Sequence, residues 1–561
     1  MASSRISNIL AHLKDIEDLS VPTGKKDPSS CSSSDDPSSS CAKCEEDVNN
    51  ANVGGSLLKS RPLLVRNLVS SSVSPTTFFE PEIVTAKDYI QSLRNRHLKV
   101  YYLGKLVDEP VDHPVLRPSI NAVAETYALG ERDPKLARAE STLSGFRVSR
   151  FLHVTSSVED VVQQSKMQRK LGQLTGTCFQ RCVGMDAINA LYSITHEVDA
   201  KHKTKFHYNL TEFLKQVHRQ NAVVGGAMTD GKGDRSKRPS EQPDLDVHLR
   251  VVERKVDGVI VRGAKTHQTG CVNSHWLIVM PGGALIPKEA QFAISFAIPV
   301  TAPGLSYVIG RQSCDLRALE SGADIDLGNA KFGGQEAVVI FEDVFVAYSH
   351  IFIDGQTEFC GQLVERFTAY HRRSYICKAG LGDVLIGAAA TVAEYNGASK
   401  ASHVKDKIVE MVHLNETLAS CALAASFSST KTLAGNFLPD VLMANVCKQN
   451  VTRHVYEIAR LSQDLAGGLL VTLPSHLDFD NGKVGEQLRK YLAGSGGERQ
   501  VDARRRILRL IENMTLGRNS VGYLTESMHG AGSPQAQRVV IARLHNVEEK
   551  MKMAQKLAGI I

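Results

Sequence analysis

The spacing of apolar residues along the chain changes character twice. Residues 85–225 carry apolar positions mostly at helical spacing, which predicts a helical region. The stretch DVHLRVVERKVDGVIVRG then alternates Val247, Leu249 and Val251 with polar residues and turns at an Asp-Gly pair. That alternation around Asp-Gly predicts a β-hairpin. The runs HWLIVMPG, QFAISFAIPV and EAVVIFEDVFV add further predicted strands. We therefore expect a β domain over residues 226–350.

Helical spacing returns in the last part of the chain. One apolar face recurs at intervals of three and four and predicts a long helix: Val404, Ile408, Met411, Val412, Leu418, Ala419 and Ala422. The stretches ARRRILRLIENMTLG and QRVVIARLHNVEEKMKMAQKLAG predict two more long helices. Residues 351–561 are therefore expected to form a helical bundle. The resulting fold class is α+β: an N-terminal helical domain, a middle β domain and a C-terminal helical bundle.

The first 84 residues differ from the rest of the chain. The stretch CSSSDDPSSSC is polar and of low complexity, which predicts a disordered Ser-rich extension over residues 1–84. Within it, SLLKSRPLLVRNLVSSS is basic and contains no acidic residue, a composition typical of transit peptides. A mitochondrial matrix location is therefore an alternative to the cytoplasm.

Composition narrows the class of protein. Of the 561 residues, 42% are hydrophobic and 22% charged, which is typical of a globular protein. No run of 18 apolar residues occurs, so we expect no membrane span. A net charge of +6 without a basic stripe argues against nucleic acid and suits an acidic ligand such as a phosphate-bearing cofactor. Eleven irregularly spaced cysteines without a secretory signal indicate a reducing compartment, the cytoplasm.

Two segments carry thiol and imidazole groups suited to a metal. In TCFQRC, Cys178 and Cys182 lie four residues apart and would share one face if the stretch is helical. In YHRRSYICKAGLGD, His371 and Cys377 lie six residues apart. Three thiolates and one imidazole suit an iron–sulfur cluster or zinc. Buried cysteines without a ligand are the alternative interpretation.

Two polar segments could contact a ligand. In MTDGKGDRSKRP, glycines allow close approach of the backbone and basic residues could neutralise phosphates, although a solvated basic loop has the same composition. The stretch TESMHGAGSPQAQ places Glu526 between a helical run and a turn, where it is either a catalytic carboxylate or a surface residue. No strand–GxGxxG–helix unit is present.

Together, these segments resemble the 4-hydroxybutyryl-CoA dehydratases, homotetrameric flavoproteins with a 4Fe–4S cluster within the 4-hydroxyphenylacetate 3-hydroxylase family. The resemblance runs in order from about residue 85 to the C-terminus. It rests on TCFQRC, MTDGKGDRSKRP, KTHQTG, KFGGQEAVVIFEDVFV, YHRRSYICKAGLGDVLIGAAA, HLNETL, ANVCKQN, QDLAGG, ILRLIENMTLG and TESMHGAGSPQAQR.

The resemblance implies an architecture similar to the acyl-CoA dehydrogenases. FAD would lie between the β domain and the helical bundle, partly in a subunit interface. The assembly would be a homotetramer, a dimer of dimers, and the substrate an acyl-CoA. The implied reaction removes water from 4-hydroxybutyryl-CoA to give crotonyl-CoA, with vinylacetyl-CoA isomerisation as a companion activity.

The resemblance also assigns residues. The cluster ligands would be Cys178, Cys182, His371 and Cys377. The flavin contacts would be Met228, Thr229, Asp230, Gly231, Lys232, Gly233, Asp234, Arg235, His267, Gln268, Thr269, Gly270, Gln463, Asp464, Leu465, Ala466, Gly467 and Gly468. The residues around the substrate would be Glu526, His371, Tyr375, Glu336, Lys378 and Gln180. Glu526 would abstract the α-proton, His371 would receive the β-proton and Tyr375 would donate to the leaving oxygen.

One segment departs from the expected pattern. The family pattern reads approximately HRxSYGGCK, whereas here Ile376 alone separates Tyr375 from Cys377. Two other functions remain open on the sequence. One is a flavin-dependent aromatic monooxygenase of the same family, which needs no cluster. The other is a flavin- or CoA-binding protein that has lost its cluster site.

Overall fold

The structure is a computed structural model that describes residues 82–231, 233–312, 315–320 and 323–561. The extension predicted over residues 1–84 lies outside the described residues except for its last three positions, as does Lys232 of the predicted flavin loop. Thr85 caps the first helix of the described residues: its side chain accepts from the Asp88 backbone N–H, and the Asp88 carboxylate accepts in return from the Thr85 backbone N–H.

The described residues contain helices in two groups, separated by strands. The helices before the main strands are α1 (Ala86–Ser92), α2 (Arg117–Arg132), α3 (Pro134–Ala137), α4 (Val158–Thr175), α5 (Cys182–His202) and α6 (Phe206–Gln220). Those after them are α7 (Thr357–Ser374), α8 (Cys377–Tyr395), α9 (Ser402–Phe427), α10 (Val441–Ala466), α11 (Leu469–Thr472), α12 (His476–Phe479), α13 (Gly482–Tyr491), α14 (Val501–Thr515), α15 (Glu526–His529), α16 (Pro534–Leu544) and α17 (Val547–Leu557).

The strands form two larger sheets and two short hairpins. They are β1 (Val100–Tyr102), β2 (Lys105–Leu106), β3 (Arg138–Glu140), β4 (Arg147–Ser149), β5 (Val224–Ala227), β6 (Arg250–Arg254), β7 (Gly258–Thr269), β8 (Trp276–Val279), β9 (Ile294–Pro299), β10 (Leu305–Ile309), β11 (Glu336–Ala347), β12 (Ile351–Asp354), β13 (Thr430–Lys431) and β14 (Phe437–Leu438). The six-stranded sheet has the order β2-β1-β10-β11-β7-β6, and the four-stranded sheet β12-β9-β8-β5.

The two larger sheets share one apolar core. Alternate residues of β7 and β11, such as Val261 and Phe341, are buried against residues of the other sheet, such as Leu277 and Phe296. The rings of Phe296 and Phe341 meet edge to face at 6.3 Å. The predicted hairpin is confirmed, because β6 and β7 pair antiparallel around the Asp-Gly turn. The predicted strands in the other three runs are confirmed as β8, β9 and β11.

The C-terminal helices pack around a second core. The predicted apolar face of α9 is buried at Met411 and Leu418 and faces Val451 of α10. Val412, assigned to the same face from the sequence, is 43% exposed because it lies at the edge of the stripe. The last predicted long helix is wrong as one element: it breaks into α16 and α17, and Asn546 caps the start of α17.

The order helices, strands, helices predicted from the sequence is confirmed, and the fold is mixed α and β. The domain limits at residues 85, 226 and 351 stay predictions. Two strands from the first segment, β1 and β2, extend the six-stranded sheet, so this segment is not wholly helical.

One part of the helical bundle meets the criteria for a membrane span, against our expectation from the sequence. Residues Thr357–Tyr395, α7 and α8 together, are long and apolar enough by composition, and 67% of their most apolar window is buried inside the protein. Core helices of globular domains pass the same test. The finding is therefore weak evidence for a span.

Candidate active site

The two cysteines of TCFQRC do not share a helix face. Gln180 between them has φ of +64°, a left-handed conformation that interrupts any helix. Cys178 therefore lies in a loop, and Cys182 is the first residue of α5. The loop is fixed at its start, where the Thr177 hydroxyl lies 2.9 Å from the Asn519 side-chain oxygen. The prediction of an i, i+4 pair on one helix is wrong for this reason.

Cys377 is brought to the same place by a close helix contact. It is the first residue of α8, directly after the short break at Tyr375 and Ile376. On α4, Gly172 lies so near that a Cβ there would stand 2.5 Å from the Cys377 carbonyl oxygen. Cys377 and Cys182 consequently belong to one buried cluster with Leu171 and other apolar residues.

The Cys377 thiol is buried, those of Cys178 and Cys182 are half-buried, and all three lie close enough for Cys377 to influence the other two. Burial raises the pKa of Cys178 and of Cys182 well above the usual value for a thiol, and the nearby Cys377 raises both further. Burial also raises the pKa of Cys377. Without a ligand, these groups are therefore neutral thiols at neutral pH. A metal that binds thiolates would have to displace their protons.

His371 is oriented by a buried carboxylate that the sequence analysis missed. Its Nδ1 lies 2.7 Å from Oδ2 of Asp186, whose side chain is fully buried on α5. The Ser374 hydroxyl donates to the other oxygen of Asp186 at 3.0 Å. With Nδ1 donating to Asp186, Nε2 carries the lone pair that a metal requires. No motif marked Asp186, since it lies within an ordinary helical sequence.

We call Cys178, Cys182, His371 and Cys377 the thiol–imidazole region. No group of three or more His, Cys, Asp or Glu side chains among the described residues is placed to hold a single metal ion. An iron–sulfur cluster is bound at its separate corners, so its ligands need not meet at one point. Three neighbouring thiols, at least half-buried, and an imidazole held by a carboxylate fit such a cluster by their chemistry.

Beside this region lies a buried ion pair. The Lys378 ammonium, only 2% exposed, is 2.7 Å from Oε2 of Glu526 and also donates to the Gly522 carbonyl. Burial alone would lower the pKa of Lys378, but the attraction of Glu526 and the nearby thiol groups outweighs it, so the pKa is raised. A Cβ on Gly522 would touch both Cys178 and Glu526, at 3.4 and 3.9 Å. The ion pair therefore adjoins the thiols.

Tyr375 and a second lysine flank the same carboxylate residue. The Tyr375 hydroxyl donates to the Glu526 carbonyl oxygen at 3.0 Å. The Lys448 ammonium lies 3.7 Å from the centre of the Tyr375 ring and donates to the Glu526 and Ser527 carbonyl oxygens. Burial, together with repulsion from Lys378, lowers the pKa of Lys448 well below its usual value. The sequence analysis missed Lys448. The only signal was a lysine on the apolar face of a helix in ANVCKQN.

Glu336 reaches the site from the sheet. Antiparallel pairing places Glu336 of β11 opposite Thr269 of β7, and the Thr269 hydroxyl donates to both carboxyl oxygens at 2.9 and 2.7 Å. Burial raises the pKa of Glu336 well above its usual value, and the hydrogen bond and negative charge of Glu526 raise it further. Glu336 is therefore the carboxyl group of this pair whose protonated form is favoured.

The Gln180 side chain makes hydrogen bonds that hold neighbouring segments together. Its amide nitrogen donates to the carbonyl oxygens of Ser119 and Gly333, both at 3.2 Å, and its oxygen accepts from Asn273 at 2.9 Å. A Cβ on Gly270 would stand 2.7 Å from the Gln180 Cβ. These bonds occupy its amide and join the TCFQRC loop to the end of β7. Its predicted role beside the substrate stays a prediction.

Two of the three predicted flavin segments come together. The loop at residues 228–235, described except for Lys232, follows β5, and residues 265–270 lie at the end of β7; we call both segments the strand-end region. The buried Lys265 ammonium, 1% exposed, lies 2.7 Å from the Asp230 carboxylate and donates to the Met228 carbonyl at 2.9 Å. The Thr266 backbone N–H donates to the Thr229 carbonyl at 2.8 Å.

The third predicted flavin segment lies elsewhere in the described chain. Residues 463–468 end α10, where Gly467 has φ of +72°. Asp464 pairs with Lys407 of α9 at 2.6 Å.

Comparison with known proteins identifies the family. The family models described as 4-hydroxyphenylacetate 3-hydroxylase N terminal and C terminal match residues 85–353 and 360–559. A 4-hydroxybutyryl-CoA dehydratase/vinylacetyl-CoA-Δ-isomerase from Clostridium aminobutyricum is 52% identical over 490 residues, covering 85% of this chain and 100% of that protein.

Solved structures of the same family are similar to this chain. An oxygen-tolerant archaeal 4-hydroxybutyryl-CoA dehydratase from N. maritimus is 60% identical, with a TM-score of 0.84 over 85% of this chain and 95% of that one. The FAD complex of a 4-hydroxyphenylacetate 3-monooxygenase oxygenase component, 24% identical with a TM-score of 0.73 over 84% of this chain and 98% of that one, shares the fold. The chain therefore belongs to the 4-hydroxyphenylacetate 3-hydroxylase family and, within it, to the group of the 4-hydroxybutyryl-CoA dehydratases.

Proposed function

We propose that this chain is a hydro-lyase that converts 4-hydroxybutyryl-CoA to crotonyl-CoA and also isomerises vinylacetyl-CoA, with FAD and a 4Fe–4S cluster as cofactors. The observation that carries the proposal is the convergence of one buried thiol, two half-buried thiols and a carboxylate-held imidazole beside the Lys378–Glu526 ion pair. The identity to the Clostridium aminobutyricum dehydratase/isomerase over that protein's full length supports it.

The reaction needs more than an acid and a base. The thioester makes the α-hydrogen of the substrate acidic, but the β-hydrogen is not acidic and hydroxide is a poor leaving group. When bound, FAD would supply one-electron chemistry that acidifies the β-hydrogen, and the cluster, held by Cys178, Cys182, His371 and Cys377, would supply a Lewis acid for the departing hydroxyl.

The carboxyl groups provide the first proton transfer. Glu526 would act as the base for the α-proton, and the Lys378 contact with one of its oxygens at 2.7 Å supports this role. Glu336, with its raised pKa, is a neutral acid that donates a hydrogen bond to Glu526. Thr269 fixes Glu336 and would also hydrogen-bond the flavin.

Two further groups handle the leaving water and the β-proton. The Tyr375 hydroxyl, now 3.0 Å from the Glu526 carbonyl oxygen, could turn to donate to the departing oxygen. His371 would receive the β-proton at Nε2 once that nitrogen no longer binds the cluster, because Asp186 holds its Nδ1. Lys448 holds the Glu526 and Ser527 carbonyl groups and the Tyr375 ring in place.

The remaining parts of the proposal concern assembly. FAD is supported by the FAD complex of the monooxygenase component, which shares this fold. We propose an acyl-CoA-dehydrogenase-like placement of FAD between the sheets and the helical bundle. A homotetramer would let the turn at residues 463–468 reach a flavin held by another copy. We propose a cytoplasmic location, with the mitochondrial matrix as the alternative.

The decisive experiment is iron, sulfide and FAD analysis of anaerobically purified protein, coupled to a crotonyl-CoA assay. We expect iron, sulfide and FAD in the wild type, iron loss in Cys178→Ser, and unchanged iron in Cys421→Ser, which removes a half-buried cysteine of α9. Wild-type protein with FAD but no iron that hydroxylates a phenol would favour the monooxygenase. Absence of both iron uptake and water loss would favour a binding protein.

A further inference from the structure

A glutamine on α4 connects a cysteine thiol with a buried guanidinium. The side chains of Gln168 and Arg373 are both fully buried. The Gln168 amide nitrogen donates to Cys182 Sγ at 3.2 Å, and its oxygen accepts from the Arg373 guanidinium at 3.2 Å. The three side chains come from α4, α5 and α7.

The orientation of this amide is determined by chemistry. A guanidinium can only donate hydrogen bonds, so the amide oxygen must face Arg373 and the amide nitrogen must face Cys182. Arg373 is itself held, because it donates to the Ser165 hydroxyl at 3.1 Å and to the Gln164 side-chain oxygen at 3.1 Å. An amide flip would place two donors against each other in a fully buried site. The N–H group therefore points at sulfur permanently.

We infer that Gln168 is a positioning residue that donates an N–H···S hydrogen bond to the Cys182 ligand and thereby raises the reduction potential of the bound cluster. The inference rests on the proposed function, since it requires Cys182 to bind iron as a thiolate. A donor at a thiolate sulfur stabilises the more negative, reduced state of the cluster more than the oxidised state. Arg373 acts through Gln168 by fixing which end of the amide faces the sulfur.

The test is a redox titration followed by electron paramagnetic resonance on anaerobically purified holoenzyme. Gln168→Met keeps the approximate volume and removes the donor, so we expect a reduction potential more negative than that of the wild type. The matched control is Gln164→Met, which removes the neighbouring glutamine that contacts Arg373 but not the thiol. We expect the control to keep the wild-type potential.

A second variant keeps the inference testable if Gln168→Met fails to assemble the cluster. Gln168→Glu keeps the shape and the Arg373 contact but presents an acceptor to Cys182, so it should shift the potential in the same direction. If both Gln168 variants lose iron but keep native circular dichroism, and Gln164→Met is fully loaded, then the Gln168 hydrogen bond to Cys182 is already required when the cluster assembles. Loaded Gln168 variants with the wild-type potential would overturn the inference alone. Wild-type protein without iron and sulfide would instead remove the proposed function.

Discussion

The thiol–imidazole region and the strand-end region are built in different ways. In the first, a loop, two helix starts and one helix face bring together side chains from Cys178 to Cys377, and packing and side-chain hydrogen bonds unite them. In the second, neighbouring segments around β7 are joined by backbone hydrogen bonds, such as Thr266 to Thr229 at 2.8 Å, and by the Lys265–Asp230 ion pair. Backbone hydrogen bonds do not depend on side-chain shape, so changes in side-chain size should disturb the first region more than the second.

The two regions also differ in how their polar groups are satisfied. The Lys265 ammonium of the strand-end region has a carboxylate and two carbonyl oxygens as partners within the chain. The three thiols of the other region are neutral and have raised pKa values, because burial disfavours their thiolates more than the nearby Lys378 favours them. The strand-end region is thus complete without a ligand. Under the proposed function, the thiol–imidazole region would be stabilised further when its thiolates bind a metal.

The largest effect is expected where the two regions meet, at Glu526. Glu526→Gln removes the proposed base, so crotonyl-CoA formation should fall by about 10²–10⁴-fold. Iron and FAD content should stay unchanged, because Glu526 is proposed to bind neither cofactor. Turnover is measured on holoenzyme with the wild type in parallel. Full turnover in this variant would remove the assignment of Glu526 as the base.

The second effect tests the strand-end region. Lys265→Met leaves the buried Asp230 carboxylate without its ammonium partner, which should lower the free energy of unfolding by about 3–5 kcal/mol. Urea unfolding of the iron-free protein measures this change. Lys170→Met, which alters an exposed lysine of α4, is the control. A loss no larger than that of the control would contradict the view that this ion pair holds the region together.

The third effect tests the thiol–imidazole region. Asp186→Asn keeps the shape but removes the charge that holds Nδ1 of His371, so iron affinity or turnover should fall by about 10–100-fold. Iron retention during dialysis against a chelator measures the affinity. Because Asp186 also lies 3.8 Å from the buried Arg373 guanidinium, urea unfolding of the iron-free variant is measured in parallel to separate lost stability from lost iron affinity. Equal iron retention in variant and wild type would show that Asp186 does not orient the ligand.

The smallest expected effect is a pH dependence of the folding stability, and its source is a histidine beside the strand-end region. Burial lowers the pKa of His275, which precedes β8, to about 3, against about 6.5 in an unfolded chain. The unfolded state therefore binds this proton first, so the stability is fully present above pH 6.5 and declines as the pH falls. By pH 5 the loss should be about 2 kcal/mol. His275→Gln should flatten this part of the stability profile. An identical acid slope in wild type and variant would exclude His275 as its source.

Local pattern predicted the elements well. The alternation of Leu249 and Val251 with polar residues at the start of the β6–β7 hairpin is a property of strands with one buried face, and it was visible without tertiary information. The break between α16 and α17 was not visible, because apolar residues continue across it and the capping Asn546 lies within a polar run. The left-handed Gln180 was missed for a similar reason, since that conformation is set by contacts of its amide with three distant segments.

The sequence by itself determined the order of helices and strands, the identity of the thiols and imidazole, and the family. The order of the elements follows from the periodic alternation of buried and exposed residues along each helix or strand. The thiols, the imidazole and the family follow from motifs that are contiguous in the chain. Only the tertiary structure decided which buried groups contact the site residues. Asp186 contacts His371, Lys448 contacts the Tyr375 ring, and Gln168 contacts Cys182. These partners lie on helices whose sequence patterns indicate which residues are buried. The patterns do not indicate which residue of another segment each one contacts, because packing between distant segments selects that neighbour.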